Sequence, residues 1–534
     1  MISNNIKIAW RNLIKNKTFS LINITGLAVA IGAAMLMSIW ILDEYNCDRS
    51  HQHRDTIYEV YNRFNWDGNI SCWNVTPKPM ANALVNEFPE IDQTVRVNWP
   101  TEGLFTNQDK KIKAFFTVVD SNFLDVFTFP IVYGNLKTCL KSVNSVVITQ
   151  TLAQKLFGDV NPIDKTIQID QTPYSISAVV KDYTDKSRFK FDCLMPYTVM
   201  KSKGWDDDNW SNNSIMTYAM LKPNIDIDKL QDKVKSLRKK YDKDGQAIET
   251  FLYPMSRARL YGRFENGVES GGRITIVKML SIISALILII ASINFMNLST
   301  ARSDKRAKEV GVRKVAGATK QSLVMQFLSE SVITALVAYI FAIILDWMFF
   351  PYFNEMAGKS LTFSIYLKEV LGGTLVFAIF NGLLAGSYPS WVLSSFQPVM
   401  VLKGAITISN AMITPRKALI FLQFACATGL IIATVIVHQQ LNYVQDRNSG
   451  YNKDKLVYHT LDGDMEKNYS LIKKELLERK IALSVTKTSA PTTEGWSNTD
   501  GMGWKGKPEN EHTIVDRFCA DDQVAKTLGL KLLA

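Results

Sequence analysis

The sequence predicts an α-helical integral membrane protein carrying a large α+β extracytoplasmic domain, and three observations predict it. First, five windows hold at most one Asp, Glu, Lys or Arg: Thr18–Leu42, Met279–Ala301, Leu323–Leu345 (with the single charge Glu330), Val370–Leu393 and Ala418–Val437. A helix crosses about 30 Å of hydrocarbon with about 20 residues, and the shortest window reaches that length. Second, the basic surplus is local. Residues 1–17, 302–320 and 395–417 carry four, five and three net positive charges, against +11 for the whole chain. If the five spans alternate, all three stretches fall on one side, as the positive-inside rule requires. Third, the 236 residues from 43 to 278 fall on the other side, enough for an independent domain.

Composition excludes other classes. With 27 Phe, 19 Tyr and 11 Trp against 28 Gly and 16 Pro in 534 residues, the chain is not disordered. Its positive charge is accounted for by topology, which removes the argument for nucleic-acid binding. Mean hydropathy near zero is the average of very apolar and very polar parts.

In chain order, residues 1–17 place Ile2, Ile6, Trp10, Leu13 and Ile14 on one helical face, with Lys7, Arg11 and Lys15 elsewhere. That pattern suits an amphipathic helix on the inner leaflet. Span 18–42 is too long for a signal-peptide core and lacks a small-residue cleavage site, so it reads as an uncleaved anchor. Within 43–278, strands are expected at Thr56–Asn62, Val95–Asn98, Ala114–Val119 and Val143–Ile148, and helices at Pro79–Phe88 and Thr149–Phe157. Thr166–Ile169 and Tyr174–Val180 read as a hairpin across a Gln171–Pro173 turn. Lys229–Tyr241 reads as one charged helix with Leu230, Val234 and Leu237 as its apolar stripe. Spans 279–301, 323–345, 370–393 and 418–437 follow, joined by a cytoplasmic loop 302–322, a short outer loop 346–369 and a cytoplasmic linker 394–417. The six cysteines show no metal-finger spacing, and a disulfide among Cys47, Cys72, Cys139 and Cys193 stands beside buried thiols as an alternative.

An internal repeat organises the chain. Asp48-Arg49 with Asp55-Thr56-Ile57 recurs as Asp446-Arg447 with Asp454-Lys455-Leu456, and Asp120-Ser121-Asn122-Phe123 recurs as Asp521-Asp522-Gln523-Val524. The near-constant offset implies that 438–534 begins a second external domain. It stops near the counterpart of Tyr133, so the chain is expected to be a tandem shortened at its C-terminus.

No phosphate loop, HExxH or GxSxG occurs. His51 and His53 sit on a polar turn and are read as solvated rather than as metal ligands. Trp205–Trp210 lacks the ligand alternation of a calcium loop. The stretch Ser303–Lys320 stands out because it is short, helix-compatible and continuous with spans at both ends. A helix so placed can pass force from a soluble partner into the membrane, and its two glycines admit a close backbone. An ordinary positive-inside loop is the alternative.

The block Glu309-Val310-Gly311-Val312-Arg313-Lys314-Val315-Ala316-Gly317-Ala318-Thr319, followed by Gln326-Phe327-Leu328-Ser329-Glu330-Ser331, closely resembles the signature of FtsX-like (MacB-like) ABC-transporter permeases. Ala9-Trp10-Arg11-Asn12-Leu13, Leu156-Phe157-Gly158-Asp159, Asn161-Pro162-Ile163, Tyr388-Pro389-Ser390 and Ser395-Phe396-Gln397-Pro398-Val399 agree in order, and the tandem resembles a duplicated form common in Bacteroidota. The resemblance implies that 303–320 is a coupling helix docking on a separate cytoplasmic ATPase through Glu309, Val310, Gly311, Arg313, Lys314, Gly317 and Ala318. ATP and Mg would belong to that partner, and this chain would hold no cofactor, metal or catalytic residue of its own.

The same resemblance implies a periplasmic core domain, a bacterial inner membrane and a cytoplasmic N-terminus. It implies export of a hydrophobic compound or peptide, or lipoprotein handling, with a periplasmic adaptor and outer-membrane channel as further partners. The rival is a non-transporting regulator of a periplasmic enzyme such as a cell-wall hydrolase. A membrane-anchored sensor is disfavoured because the cytoplasmic segments are too short for an output. Two local departures stand out: Asp164 where the family turn has Gly, and Cys47 where an aromatic is usual. Glu330 is expected to pair with a basic residue of the coupling region, and Asp346 to be solvated near the outer surface. Gly317→Trp is expected to abolish ATPase stimulation by adding bulk at a close approach.

Overall fold

The computed structural model describes residues 2–15, 17–66, 69–183, 187–242, 247–301, 310–361, 367–395, 410–499, 502–508 and 513–531. In chain order the elements are α1 (Ile2–Lys15), α2 (Lys17–Tyr45), β1 (Ile57–Trp66), β2 (Asn69–Trp73), β3 (Val75–Pro77), α3 (Met80–Glu87), β4 (Ile91–Val97), β5 (Thr101–Asn107), β6 (Lys110–Val119), α4 (Phe123–Val126), β7 (Ile131–Gly134), β8 (Ser145–Thr149), α5 (Gln150–Phe157), β9 (Thr166–Ile169), β10 (Thr172–Val180), β11 (Cys193–Pro196), α6 (Thr198–Ser202), β12 (Asn213–Leu221), α7 (Ile227–Val234), α8 (Leu237–Tyr241), β13 (Ala247–Pro254) and α9 (Met255–Tyr261). A short hairpin, β14 (Arg263–Glu265) and β15 (Val268–Gly271), leads into α10 (Arg273–Ala301). Then come α11 (310–315), α12 (Lys320–Ala357), α13 (Leu367–Ser395), α14 (Asn410–Asp446), α15 (Tyr469–Glu478) and α16 (Val524–Leu528).

Five of these helices are long and apolar enough to cross a membrane: stretches Ser20–Tyr45, Arg273–Ser299, Lys320–Ala357, Lys368–Ser387 and Ile420–Asp446. Residues 1–45 and 274–446 form one compact unit, and 46–273 with 447–534 another.

In the first unit, α2, α12 and α13 pack through small residues. A Cβ on Gly382 would lie 2.7 Å from Val332 Cα, and one on Gly386 2.9 Å from Ser331 Oγ. Ala28, Ala335, Ala338, Ala342, Ala378 and Ala385 are buried alongside. Lipid supplies no hydrophobic drive between helices, so such close backbone approach is what holds them. Where α2 and α12 end, Lys359 Nζ reaches Asp43 at 2.5 Å and Glu44 at 2.7 Å.

Asp346 departs from expectation: its side chain is buried, 2% exposed, beside Gly32 near the middle of the first apolar window. The charge had marked the end of the third window, but α12 continues twelve apolar-rich residues further, with Trp347, Met348 and Phe349 exposed.

The second unit is a mixed α+β domain. Strands β6, β5, β9, β10, β8 and β11 follow one another, and β11 pairs back to β6, so they close into a barrel. Its interior is filled by Phe105, Val146, Ile148, Ile167, Ile169, Ile176 and Met195. Strands β4, β12, β1 and β13 continue as an open sheet. Leu84 of α3 and Leu230 and Val234 of α7 cover it together with Leu237. No disulfide joins any of the six cysteines.

Three local details differ from expectation. The 229–241 helix breaks into α7 and α8 because Thr250 of β13 donates its N–H to the Lys235 carbonyl at 3.2 Å. The β9–β10 turn is the two-residue pair Asp170 (φ 46) and Gln171 (φ 69), the all-positive geometry that matches strand twist. Pro173 therefore lies in the strand opposite Gln168. Asp164 adopts φ 64, the left-handed region that glycine favours and that Asp tolerates better than most other residues.

The internal repeat has a structural counterpart. Val97 bridges Val119, Asp120 N donates to Arg96 O (3.1 Å), and Phe123 N to Asp120 O (3.0 Å) as α4 begins. In the C-terminal segment Thr488 bridges Ala520, Asp521 N donates to Lys487 O (3.0 Å), and Val524 N to Asp521 O (3.2 Å) as α16 begins.

Candidate functional site

The turn between the second and third spans is built by two capping devices. At the end of α11, Ala318 N donates to Arg313 O (3.0 Å) and Gly317 N to Lys314 O (3.1 Å). This pair of bonds is a Schellman motif, which requires a left-handed residue, and Gly317 supplies φ 91. One residue later Thr319 caps α12, its hydroxyl accepting from Ser322 N at 3.3 Å. The two helices are thus joined by a turn capped on both sides.

Beneath this turn runs a polar chain. Arg313 Nη1 donates to Gln326 Oε1 (2.6 Å), Gln326 Nε2 to Glu330 Oε1 (3.3 Å), and Asn12 Nδ2 of α1 to the same oxygen (2.7 Å). Glu330 thereby meets the coupling region through Gln326, and through Asn12 it also holds the amphipathic helix.

The sequence-predicted residues therefore separate. Val310 and Gly311 are buried, Arg313 and Lys314 are half-buried, and Ala318 is a capping donor. Glu309 lies outside the described residues. Nothing lies within 4 Å of a Cβ at Gly317. Gly317 is required by its φ and not by a close neighbour, which revises the reason a substitution there should fail. The residues missed were Val312 and Val315, 58% and 66% exposed. Their i, i+3 spacing puts them on one face, and an apolar pair on a helix outside the apolar windows was the available signal. Asn12 and Gln326 were missed as partners because their contacts join segments far apart in sequence.

A second constellation sits in the external unit, just past α2 in sequence. Arg188 donates from its backbone N to Asp48 Oδ1 (2.8 Å), from Nε to Asp48 Oδ2 (2.6 Å) and from Nη2 to the Met255 carbonyl (3.0 Å), and it pairs with Glu59. Tyr218 and Tyr61 hydroxyls also donate to Glu59, at 3.1 and 3.2 Å. Burial alone would lower the Arg188 pKa, but Glu59 and Asp48 outweigh it and hold the guanidinium charged. One side chain thus ties the residues following α2 to those that lead towards α10.

Beside it His51 is not solvated, as its polar turn suggests, but 3% exposed, with the rings of Phe127 and Phe129 edge-on at 5.5 Å. Burial lowers its pKa below 6.5, Asp48 opposes this and Arg188 reinforces it. The unfolded chain then binds a proton that the folded chain refuses, so stability falls as pH drops below 6.5, by up to about 1.4 kcal/mol per unit. Thermal unfolding of the solubilised chain between about pH 7.5 and pH 5.5 should show this loss, and His51→Phe should flatten it. Among the described residues, no group of three His, Cys, Asp or Glu is placed to hold a metal.

The MacB-like periplasmic core domain family matches residues 20–237, and the FtsX-like permease C-terminal family matches residues 281–398. The chain thus carries, in order, a MacB-like periplasmic core domain and an FtsX-like permease domain. The permease is 23% identical over 329 residues to the uncharacterized ABC transporter permease YknZ of Bacillus subtilis, covering 60% of this chain and 73% of that one. It is 24% identical over 270 residues to the macrolide export ATP-binding/permease protein MacB of Bdellovibrio bacteriovorus, covering 48% of this chain and 38% of the relative. The alignment thus spans well under half of that MacB. The crystal structure of the periplasmic region of MacB from Actinobacillus actinomycetemcomitans matches 40% of this permease and 93% of its own length, at 15% identity and a TM-score of 0.30. The permease is a multi-pass membrane protein with a large periplasmic domain.

Proposed function

We propose that this permease is the membrane subunit of an ABC complex, in which a separate cytoplasmic ATPase binding ATP and Mg docks on α11 and drives motion of the periplasmic domain. The supporting observation is the fixed turn from α11 to α12, wired through Gln326 and Glu330 to α1, with Val312 and Val315 left outward. The chain supplies positioning and force transmission. Hydrolysis would occur on the partner, in a bacterial inner membrane with the N-terminus cytoplasmic.

Export of a hydrophobic compound, a peptide or a lipoprotein is the leading use, since relatives are named for macrolide and pyoverdine export. A periplasmic adaptor and an outer-membrane channel would then complete the path. The Arg188 node favours a second reading as well, because a domain tied to both of its membrane connections can switch a periplasmic enzyme without moving a substrate.

The docking test uses Val312→Asp with Val315→Asp. Neither residue supports the fold, so insertion and melting should be unchanged. Binding to the cognate ATPase should weaken at least about tenfold, the cost of losing a buried apolar anchor in an interface. Unaltered binding in a pull-down, with unaltered ATPase stimulation, would refute docking on α11. Gly317→Ala serves as the companion: its strain acts on the turn, so it should weaken coupling while leaving Val312 and Val315 in place.

A further inference from the structure

The C-terminal segment meets the periplasmic domain on a face that strand register defines. In the β5–β6 hairpin Glu102 stands opposite Phe115, Leu104 opposite Lys113 and Thr106 opposite Lys111. Alternation puts these six on one side, while Phe105 and Ala114 point into the barrel and are buried. The outer side therefore presents Lys111 and Lys113 around Leu104. Beside it stands Gln171 at the tip of the β9–β10 turn, where neighbouring Asp170 Oδ1 accepts from Leu104 N at 2.9 Å.

Thr460–Lys467 lies over this surface. Lys113 pairs with Asp462. Gln171 donates to Asp464 and accepts from Lys467 Nζ at 2.9 Å. Thr460 Oγ1 donates to Glu102 at 3.5 Å. Gly463 has φ 57, and a Cβ there would lie 3.0 Å from Leu104 Cδ2. Position 463 thus disfavours a side chain by backbone conformation and by the nearness of Leu104, and the acids at 462 and 464 flank it to meet the lysine and the amide.

We propose that the outer face of the β5–β6 hairpin, together with the β9–β10 tip, is a docking surface for Thr460–Lys467 of the same chain. It acts as a latch that makes the segment following the fifth span move with the domain following the first. The latch is independent of the ATPase reading, because both sides of it lie outside the membrane spans.

The test uses the full chain with Cys519→Ser, Gln171→Cys and Asp464→Cys, treated with a short bis-thiosulfonate linker and digested for mass spectrometry. The expected product is a 171–464 cross-link within one chain. Lys113→Asp should lower its yield about fivefold, and Asp462→Lys in that background should restore it. Three results overturn the proposal: no such peptide while both thiols react with maleimide, a cross-link found only between chains, or a yield indifferent to Lys113→Asp.

Discussion

Arg188→Met should destabilise the periplasmic domain by about 3–5 kcal/mol, the penalty for removing one partner of a buried ion network. The methionine fills much of the space, so packing is not the main loss. What remains is Asp48 with side-chain relative exposure of 1% and Glu59 with 6%, both without their cation. The Met255 carbonyl also loses its donor. Since whole domains are stable by only about 5–15 kcal/mol, the loss should appear as a large drop in the thermal midpoint of the detergent-solubilised chain. A triple variant, Arg188→Met with Asp48→Leu and Glu59→Leu, should recover much of the loss, because buried charges replaced together leave nothing uncompensated. A single-variant loss below about 1 kcal/mol would show that water reaches the carboxylates and that the node is not structural.

The second large effect is expected in the membrane. Gly382→Leu should separate α13 from α12, because even the first carbon of the new side chain would lie 2.7 Å from Val332 Cα and 3.1 Å from Val332 N. Backbone cannot rotate away as a side chain can, so the cost is at or above the usual 1–3 kcal/mol of overpacking, about 3 kcal/mol. The control is Gly372→Leu on the same helix, where a Cβ meets nothing within 4 Å. Faster proteolysis and a lowered thermal midpoint in Gly382→Leu but not in Gly372→Leu would bear this out. Equal behaviour of the two would mean that α12 and α13 are not held by this contact.

Much of the architecture is legible in the sequence. The spans could be read because transfer of a helix into hydrocarbon depends on local composition alone, and the strands because alternation is a local pattern. The local likeness of the two segments was legible through Asp120 and Asp521, each of which precedes a short helix after an equivalent bridge. The break between α7 and α8 was not, since its cause is a bond from Thr250, distant in sequence. The length of the helix that carries the third span was not legible either, for a related reason. Asp346 is acidic, but whether it faces water or Gly32 depends on how α2 lies against α12.

The same division runs through the candidate coupling site. By itself the sequence determined that a short basic helix-forming segment joins two spans, and that Gly317 and Thr319 stand at a helix end and a helix start. Those are properties of residue type and order. Only the tertiary structure decided that Arg313 turns inward to Gln326, that Glu330 takes its hydrogen bond from Asn12 some three hundred residues away, and that Val312 and Val315 are the side chains left facing out. A side chain's partner is set by which distant segment packs beside it. That packing is the summed outcome of many weak contacts, which no single window of sequence contains.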